Sequence, residues 1–393
     1  MFGSTNIKFF NFKIKNPKKV VKKINKTWFD QFEIIKTLKP DYNYSYNQKI
    51  IKKHKKKKFF RIIGIGGSIL GTEAIHQFLK HRIKKKFIFI NNLQNKIDLK
   101  PNDHKTLNII VSKSGNTLET ILNSNKFINT SRNNNIFITE NKYSYLSILA
   151  EKLKSEIIEH KNFVGGRYSV LSEAGMIPAQ LMGLNEKKFK RFNYLINKKN
   201  FITFLVGNVN QTLNLIKNKK SNSIILNYDQ ESESLFRWYQ QLIAESLGKK
   251  SKGILPIISS MPKDNHSLLQ LYLDGPKNNF FTFFHVKNKK TTKLNNKLIL
   301  KTQNYLKNKS FTEIIELQKI ATQNVFLKKK IPYRSIEVLN RSEESIGELF
   351  CFFILETILL GRALKINPFD QPSVELVKKE TKRFLLNRKK KNF

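Results

Sequence analysis

The chemistry of this chain starts at two turns that combine glycine with hydroxyl side chains. Residues 59–80 read FFRIIGIGGSILGTEAIHQFLK: an apolar strand, a glycine-hydroxyl turn and an amphipathic helix. Residues 108–122, NIIVSKSGNTLETIL, repeat that grammar. Backbone N–H groups at a helix N-terminus are unpaired and sit at the positive end of the helix dipole, so they attract an anion. Glycine lets the main chain approach closely, and hydroxyls add donors. Two such units read as two halves of one phosphate cradle.

Neither common nucleotide motif fits. In the pattern G-x-G-x-x-G, Gly64 and Gly66 are followed by Ile69 where the third glycine belongs. The next apolar run, 87–92, ends in Asn91-Asn92 and offers no acid for a ribose. The P-loop spacing runs from Gly66 to Gly71, but Thr72 stands where its lysine must be. A sugar phosphate is therefore the expected ligand, with ligand-free tight turns as the competing reading of either loop alone.

Four further segments carry residues able to act on such a ligand. VGGRYSVLSEAG places Arg167 directly after Gly165-Gly166, a guanidinium beside close-approach backbone and suited to an oxyanion or phosphate. In WYQQLIAESLGK, Gln241 and Glu245 are four apart and share a helix face. The apolar neighbours Leu242, Ile243, Ala244 and Leu247 would desolvate the Glu245 carboxylate, a setting suited to a general base. KDNHSLLQLYLDG puts His266 at an apparent helix start, and FDQPSVELVKK sets Gln371 and Lys378 two helical turns apart. Each has an ordinary alternative: a solvated helical acid, a capping neighbour, one lysine among many.

These residues need a scaffold, and the apolar pattern supplies one. Strand candidates at 61–65, 87–91, 108–112 and 135–139 alternate with helical segments. Intervals of about 25 residues suit βαβ units and a parallel sheet covered on both faces. Residues 1–55 read as an N-terminal helical lead-in without chemistry, and 56–195 as a first α/β domain that holds the phosphate loops. Residues 196–341 read as a second domain, with strands at 223–229, 253–258, 281–286 and in IPYRSIEVL, and a helix at 310–330. A C-terminal helical arm, 342–393, follows. Its first helix, 342–364, is nearly all apolar, which implies burial at a domain or subunit interface. Its second has Pro372 in the first turn.

Composition excludes several function classes. The chain has 393 residues, 40% of them hydrophobic and 31 of them Phe, so it can build large cores. Its single cysteine, Cys351, excludes a disulfide framework and points to a reducing compartment. The formal charge of +44 invites a nucleic-acid reading. Yet the lysines are dispersed among Asn, Ile and Phe, a bias that AT-rich coding explains. The runs at 55–58, 84–86, 328–330 and 388–391 fall between elements or at the tail. No specific nucleic-acid partner is expected. No secretory signal is evident, and the longest apolar stretch, 349–360, carries Glu356 and is too short for the ~20 residues of a bilayer span. A soluble, cytoplasmic protein is expected.

The segments GIGGSILG, SKSGNTLET, GGRYSVLS, QQLIAESLGK, DNHSLLQLYLDG and NPFDQPSVELVKK occur in the order of one family. As a set, the chain resembles the glucose-6-phosphate isomerase (phosphoglucose isomerase) family over residues 64–378. The resemblance implies an α/β fold of two SIS-type (sugar-isomerase) α-β-α sandwich domains with parallel sheets, a helical C-terminal arm, and a homodimer. It implies that Gly67, Ser68, Ser112, Lys113, Ser114, Thr117 and Gln241 bind or border the sugar phosphate. Glu245 would shuttle a proton between C2 and C1, and Arg167 would stabilise the cis-enediol(ate). His266, entering the partner's site, and Lys378 would assist ring opening, with Gln371 lining the site. Neither a metal nor a cofactor is implied, which agrees with a proton shift that needs only a base and electrostatic support. Asn116 stands where the family commonly has a hydroxyl. An isomerase for another sugar phosphate, such as mannose 6-phosphate, and a non-catalytic sugar-phosphate sensor remain as alternatives.

Overall fold

Runs rich in Ile and Phe become strands because branched and aromatic side chains fit a pleated surface buried on both faces. The computed structural model describes residues 6–12, 21, 24–93, 106–128, 134–287 and 292–389. Within them lie two five-stranded sheets.

Strands β1 (Ile7–Phe10), β2 (Phe59–Ile63), β3 (Lys86–Ile90), β4 (Thr106–Val111), β5 (Asn135–Thr139) and β6 (Glu156–Glu159) come from the first part of the chain. Strands β7 (Asn222–Asn227), β8 (Leu255–Ser260), β9 (Asn279–Val286) and β10 (Tyr333–Val338) follow. The first sheet has the order β3-β2-β4-β5-β6 and is parallel throughout. The second has the order β1-β10-β9-β7-β8, parallel except for β1 against β10. One apolar cluster joins helices to a face of each sheet. A second cluster covers the other face of the second sheet, around Phe281, Phe283 and Phe326. A third does the same for the first sheet, around Ile63, Ile110 and Phe137. Each sheet is thus covered on both faces, the α-β-α arrangement.

The strand order fixes where a ligand can sit. From β2 the chain crosses to β3 on one side, then returns to β4 on the other. The connections after β2 and β4 therefore diverge, and an open crevice forms at the carboxyl ends of those strands. Both glycine-hydroxyl turns, 64–68 and 112–117, leave from those two strands.

The structure departs from the sequence expectations in two places and decides between the alternatives in a third. The lead-in is not simply helical: β1 completes the second sheet, with Ile7 and Phe9 buried on alternate positions. Strand β6 lacks a sequence signal because it is an edge strand, EIIE, with only Ile158 buried. The apolar helix Glu343–Ala363 finds its partners inside this chain. Every residue from Glu343 to Gly361 except Glu344 is buried, with Trp238 against Phe350 and Tyr239 against Phe353. Its apolar surface is spent within one subunit and is not available for a subunit interface. Among the described residues, no helix is long and apolar enough to cross a membrane.

Candidate active site

Arg167 is the centre of the site and is almost fully buried, at 2% exposure. It sits in the short 3-10 turn Gly166–Leu171 that follows β6. A buried guanidinium must satisfy its donors, and here all three nitrogens are engaged. Nε donates to Ser246 Oγ (2.8 Å). Nη1 donates to Glu245 Oε2 (3.1 Å) and to Gln371 Oε1 (2.7 Å). Nη2 donates to the carbonyls of Pro368 (2.7 Å) and Asp370 (3.0 Å). The Trp238 indole N–H holds the Arg167 carbonyl at 3.1 Å, so the residue is fixed at both backbone and tip.

Glu245 and Gln241 come from the helix Glu233–Leu247 of the second sheet's layer. Four residues apart, they share a face as the spacing requires, and Gln241 Nε2 donates to Glu245 Oε1 at 2.8 Å. Leu242, Ile243 and Leu247 face the core. The Glu245 side chain keeps 31% exposure, so its apolar neighbours in sequence do not enclose it. Each carboxylate oxygen instead has one donor, Gln241 on one side and Arg167 on the other.

The first phosphate turn is built into this arrangement. Gly66 has φ +55°, a conformation that side chains rarely adopt, and a Cβ there would stand 2.8 Å from Gln241 Nε2. A Cβ on Gly67 would lie 2.2 Å from the Gly166 carbonyl carbon and 2.3 Å from the Arg167 nitrogen. These glycines permit backbone-to-backbone contact between the turn and the arginine loop, a tighter constraint than access for an anion. Ser169 Oγ bonds the Gly67 carbonyl (3.3 Å) across the same seam.

In the second turn, Ser112 Oγ and Thr117 Oγ1 are 2.9 Å apart and Ser114 Oγ is 3.5 Å from Thr117 Oγ1, a cluster of three hydroxyls. Thr117 is the N-cap residue of the helix Leu118–Phe127, yet its side chain makes no capping bond. The hydroxyl bonds to its neighbours instead. Gly115, at φ +66°, makes the reversal that brings them together. The Lys113 ammonium donates to the Asn162 carbonyl (2.7 Å) and lies 3.6 Å from Glu140, so its charge is already bound by the loops after β5 and β6. Asn116 Oδ1 accepts from the Tyr145 N–H at 2.9 Å, which gives the departure from a hydroxyl a structural use.

The sequence matches the profile of the family described as phosphoglucose isomerase over residues 52–392. The chain belongs to the phosphoglucose isomerase family. A glucose-6-phosphate isomerase of Methanocaldococcus jannaschii is 31% identical over 340 residues, 81% of this chain and 82% of that one. A probable glucose-6-phosphate isomerase of Methanococcus maripaludis is 33% identical over 341 residues, 81% and 76% of the two chains. Among solved structures, a hypothetical protein of Thermus thermophilus superposes with TM-score 0.77 at 23% identity, covering 95% of this chain and 92% of that one. A Chlamydia trachomatis glucose-6-phosphate isomerase superposes with TM-score 0.69 at 19% identity, covering 87% and 72%. The fold is that of sugar-isomerase domains.

Of the residues a phosphoglucose isomerase is expected to use, the structure joins Arg167, Glu245, Gln241, Gln371 and Gly67 directly. Ser112, Ser114 and Thr117 form the hydroxyl cluster, and Ser68 ends the short turn Gly66–Ser68. Two residues stand apart. His266 is exposed after the turn Lys263–Asn265, and among the described residues no hydrogen bond or ion pair ties it to Arg167 or Glu245. Lys378 lies on the helix Pro372–Lys389, 59% exposed and paired with Glu375 at 2.6 Å. Trp238, Tyr168, Ser246 and the carbonyls of Pro368 and Asp370 were not anticipated. Trp238 lies seven residues before Glu245, which was the available hint; backbone acceptors leave no mark in a sequence.

Proposed function

We propose that this chain interconverts glucose 6-phosphate and fructose 6-phosphate. The observation that carries the proposal is the Glu245 carboxylate, held between Gln241 and Arg167 beside the glycine turn of the phosphate crevice. In the open-chain aldose, Glu245 removes the C2 proton. The C–H electron pair forms the C1=C2 bond, and the former carbonyl oxygen becomes an enediolate that an Arg167 N–H can receive. The hydroxyl proton passes from O2 to O1. The C2 carbonyl forms as Glu245 returns its proton to C1, so one proton leaves the carboxyl for each that enters. Arg167 Nη1 now serves Glu245 and Gln371 together, and a substrate oxygen takes up part of that donor capacity.

Ser68, Ser112, Ser114 and Thr117 hold the phosphate. His266, from the second subunit of a cytoplasmic homodimer, and Lys378 assist ring opening. Gln371 accepts from Arg167 at 2.7 Å, which supports its own place at the edge of the site. The test is a coupled assay of both directions with purified protein in metal-free buffer. Turnover of glucose 6-phosphate to fructose 6-phosphate is expected; absence of interconversion by folded protein would overturn the proposal.

A further inference from the structure

An open surface depression of about 590 Å³ is lined by Arg362, Lys365, Ile366 and Asn367, of which all but Ile366 are exposed. Its setting is strongly basic. Lys249 donates to the Asn367 carbonyl (2.5 Å) and pairs with Asp370 (2.7 Å), and Lys252 donates to the Leu364 carbonyl (3.0 Å). The C-terminal carbonyls of this region are thereby served by Lys249 and Lys252. Arg362 and Lys365 are not required for that purpose, and among the described residues neither forms an ion pair. The Arg362 guanidinium lies over the Phe32 ring at 5.1 Å, which fixes its plane without using its N–H donors.

We propose that this depression binds a small anion carrying more than one phosphate group. A planar guanidinium and a neighbouring ammonium suit phosphate oxygens, and the volume exceeds that of a single inorganic phosphate. Aromatic contacts lead from the depression to the catalytic arginine. Phe32 packs on Phe369 (5.8 Å), and Phe369 packs on Tyr168 (5.6 Å). The Tyr168 hydroxyl lies 2.9 Å from Ser246 Oγ, the acceptor of Arg167 Nε. An anion held at Arg362 thus steadies the 366–371 loop through Phe32 and Phe369.

The probes are inorganic tripolyphosphate and, separately, a sugar bisphosphate, titrated calorimetrically into the full chain at about 150 mM salt, where exposed charges are screened beyond ~8 Å. Three proteins are compared: wild type, Arg362→Ala with Lys365→Ala, and a charge-matched control, Lys297→Ala with Lys301→Ala, on an exposed segment. The expected result is binding by wild type that weakens at least ~10-fold in the first variant and no more than ~2-fold in the control, as directed contacts differ from diffuse attraction. The tighter of the two probes identifies the source of the phosphate groups. Equal loss in both variants, unchanged binding in the first, or no binding by wild type overturns the proposal.

Discussion

Gly67 shows how tightly the site is tied to its scaffold. A single added methyl would meet the Gly166 and Arg167 backbone at 2.2 and 2.3 Å, and neither is a flexible side chain that could step aside. Gly67→Ala should displace the arginine loop and lower kcat/KM by roughly 10²-fold, the scale expected for an ångström of misplacement at a catalytic group. An alanine variant with wild-type kinetics would show that the contact does not position Arg167. The hydroxyl cluster predicts a different signature. Ser112→Ala with Thr117→Ala removes contacts present in both substrate and transition state, so KM should rise while kcat changes little. A selective fall in kcat, with KM unchanged, would argue against a ground-state phosphate cradle. The types of these residues were legible in the sequence because glycine and hydroxyl at a strand-to-helix turn have few ordinary explanations. The backbone partners of Arg167 were not, since Pro368 and Asp370 act through carbonyls.

At the scale of elements, the N-terminal segment is fastened to the first sheet's layer by a buried lysine. Lys190 donates to the Thr37 carbonyl (2.6 Å) and to that of Leu171, and lies over the Tyr42 and Tyr44 rings at 4.7 and 4.9 Å. Burial pushes its pKa down from 10.5 to about 7, against the opposing pull of Glu173 and Glu186. Between those two values the unfolded chain holds a proton that the folded chain lacks. Stability contributed here therefore rises with pH from about 7 to about 10.5, by at most ~1.4 kcal/mol per pH unit. Denaturant titrations of wild type and Lys190→Met across that window should show a shallower slope in the variant; parallel slopes would mean that Lys190 does not titrate there. The same scale explains what the sequence revealed of the fold. Central parallel strands such as LNIIV and NIFIT are buried on both faces and stand out as apolar runs. Strands β1 and β6 escaped notice because an edge needs only one or two buried residues.

At the scale of the molecule, the two residues left outside the site share one feature. His266 and the helix Pro372–Lys389 are both exposed, and that helix presents Val377, Phe384 and Leu386 at 68%, 60% and 57% exposure. Local segments drew attention to His266 and Lys378, but only the family resemblance gave them a ring-opening role. A second subunit that covers this surface would bring in the histidine. Refolding a mixture of Glu245→Ala and His266→Ala chains tests this. Random pairing makes about half of the dimers mixed, and one site in each mixed dimer regains both residues, so ~25% of sites should recover. If mixed dimers form and the mixture stays inactive, His266 does not serve a partner's site. The charge of +44 needs no partner of its own, since dispersed lysines give only salt-sensitive, sequence-independent attraction to polyanions.

The central claim is that Glu245 moves the proton of a sugar phosphate, and one comparison reaches it most directly. Initial rates of glucose 6-phosphate isomerisation would be measured in metal-free buffer for wild type and Glu245→Gln, alongside sugar-phosphate binding to each. The amide keeps the hydrogen bond with Arg167 available but cannot take up a proton. The predicted result is a fall in kcat of at least ~10²–10⁴-fold with binding nearly intact. Turnover near the wild-type rate in the glutamine variant would contradict it.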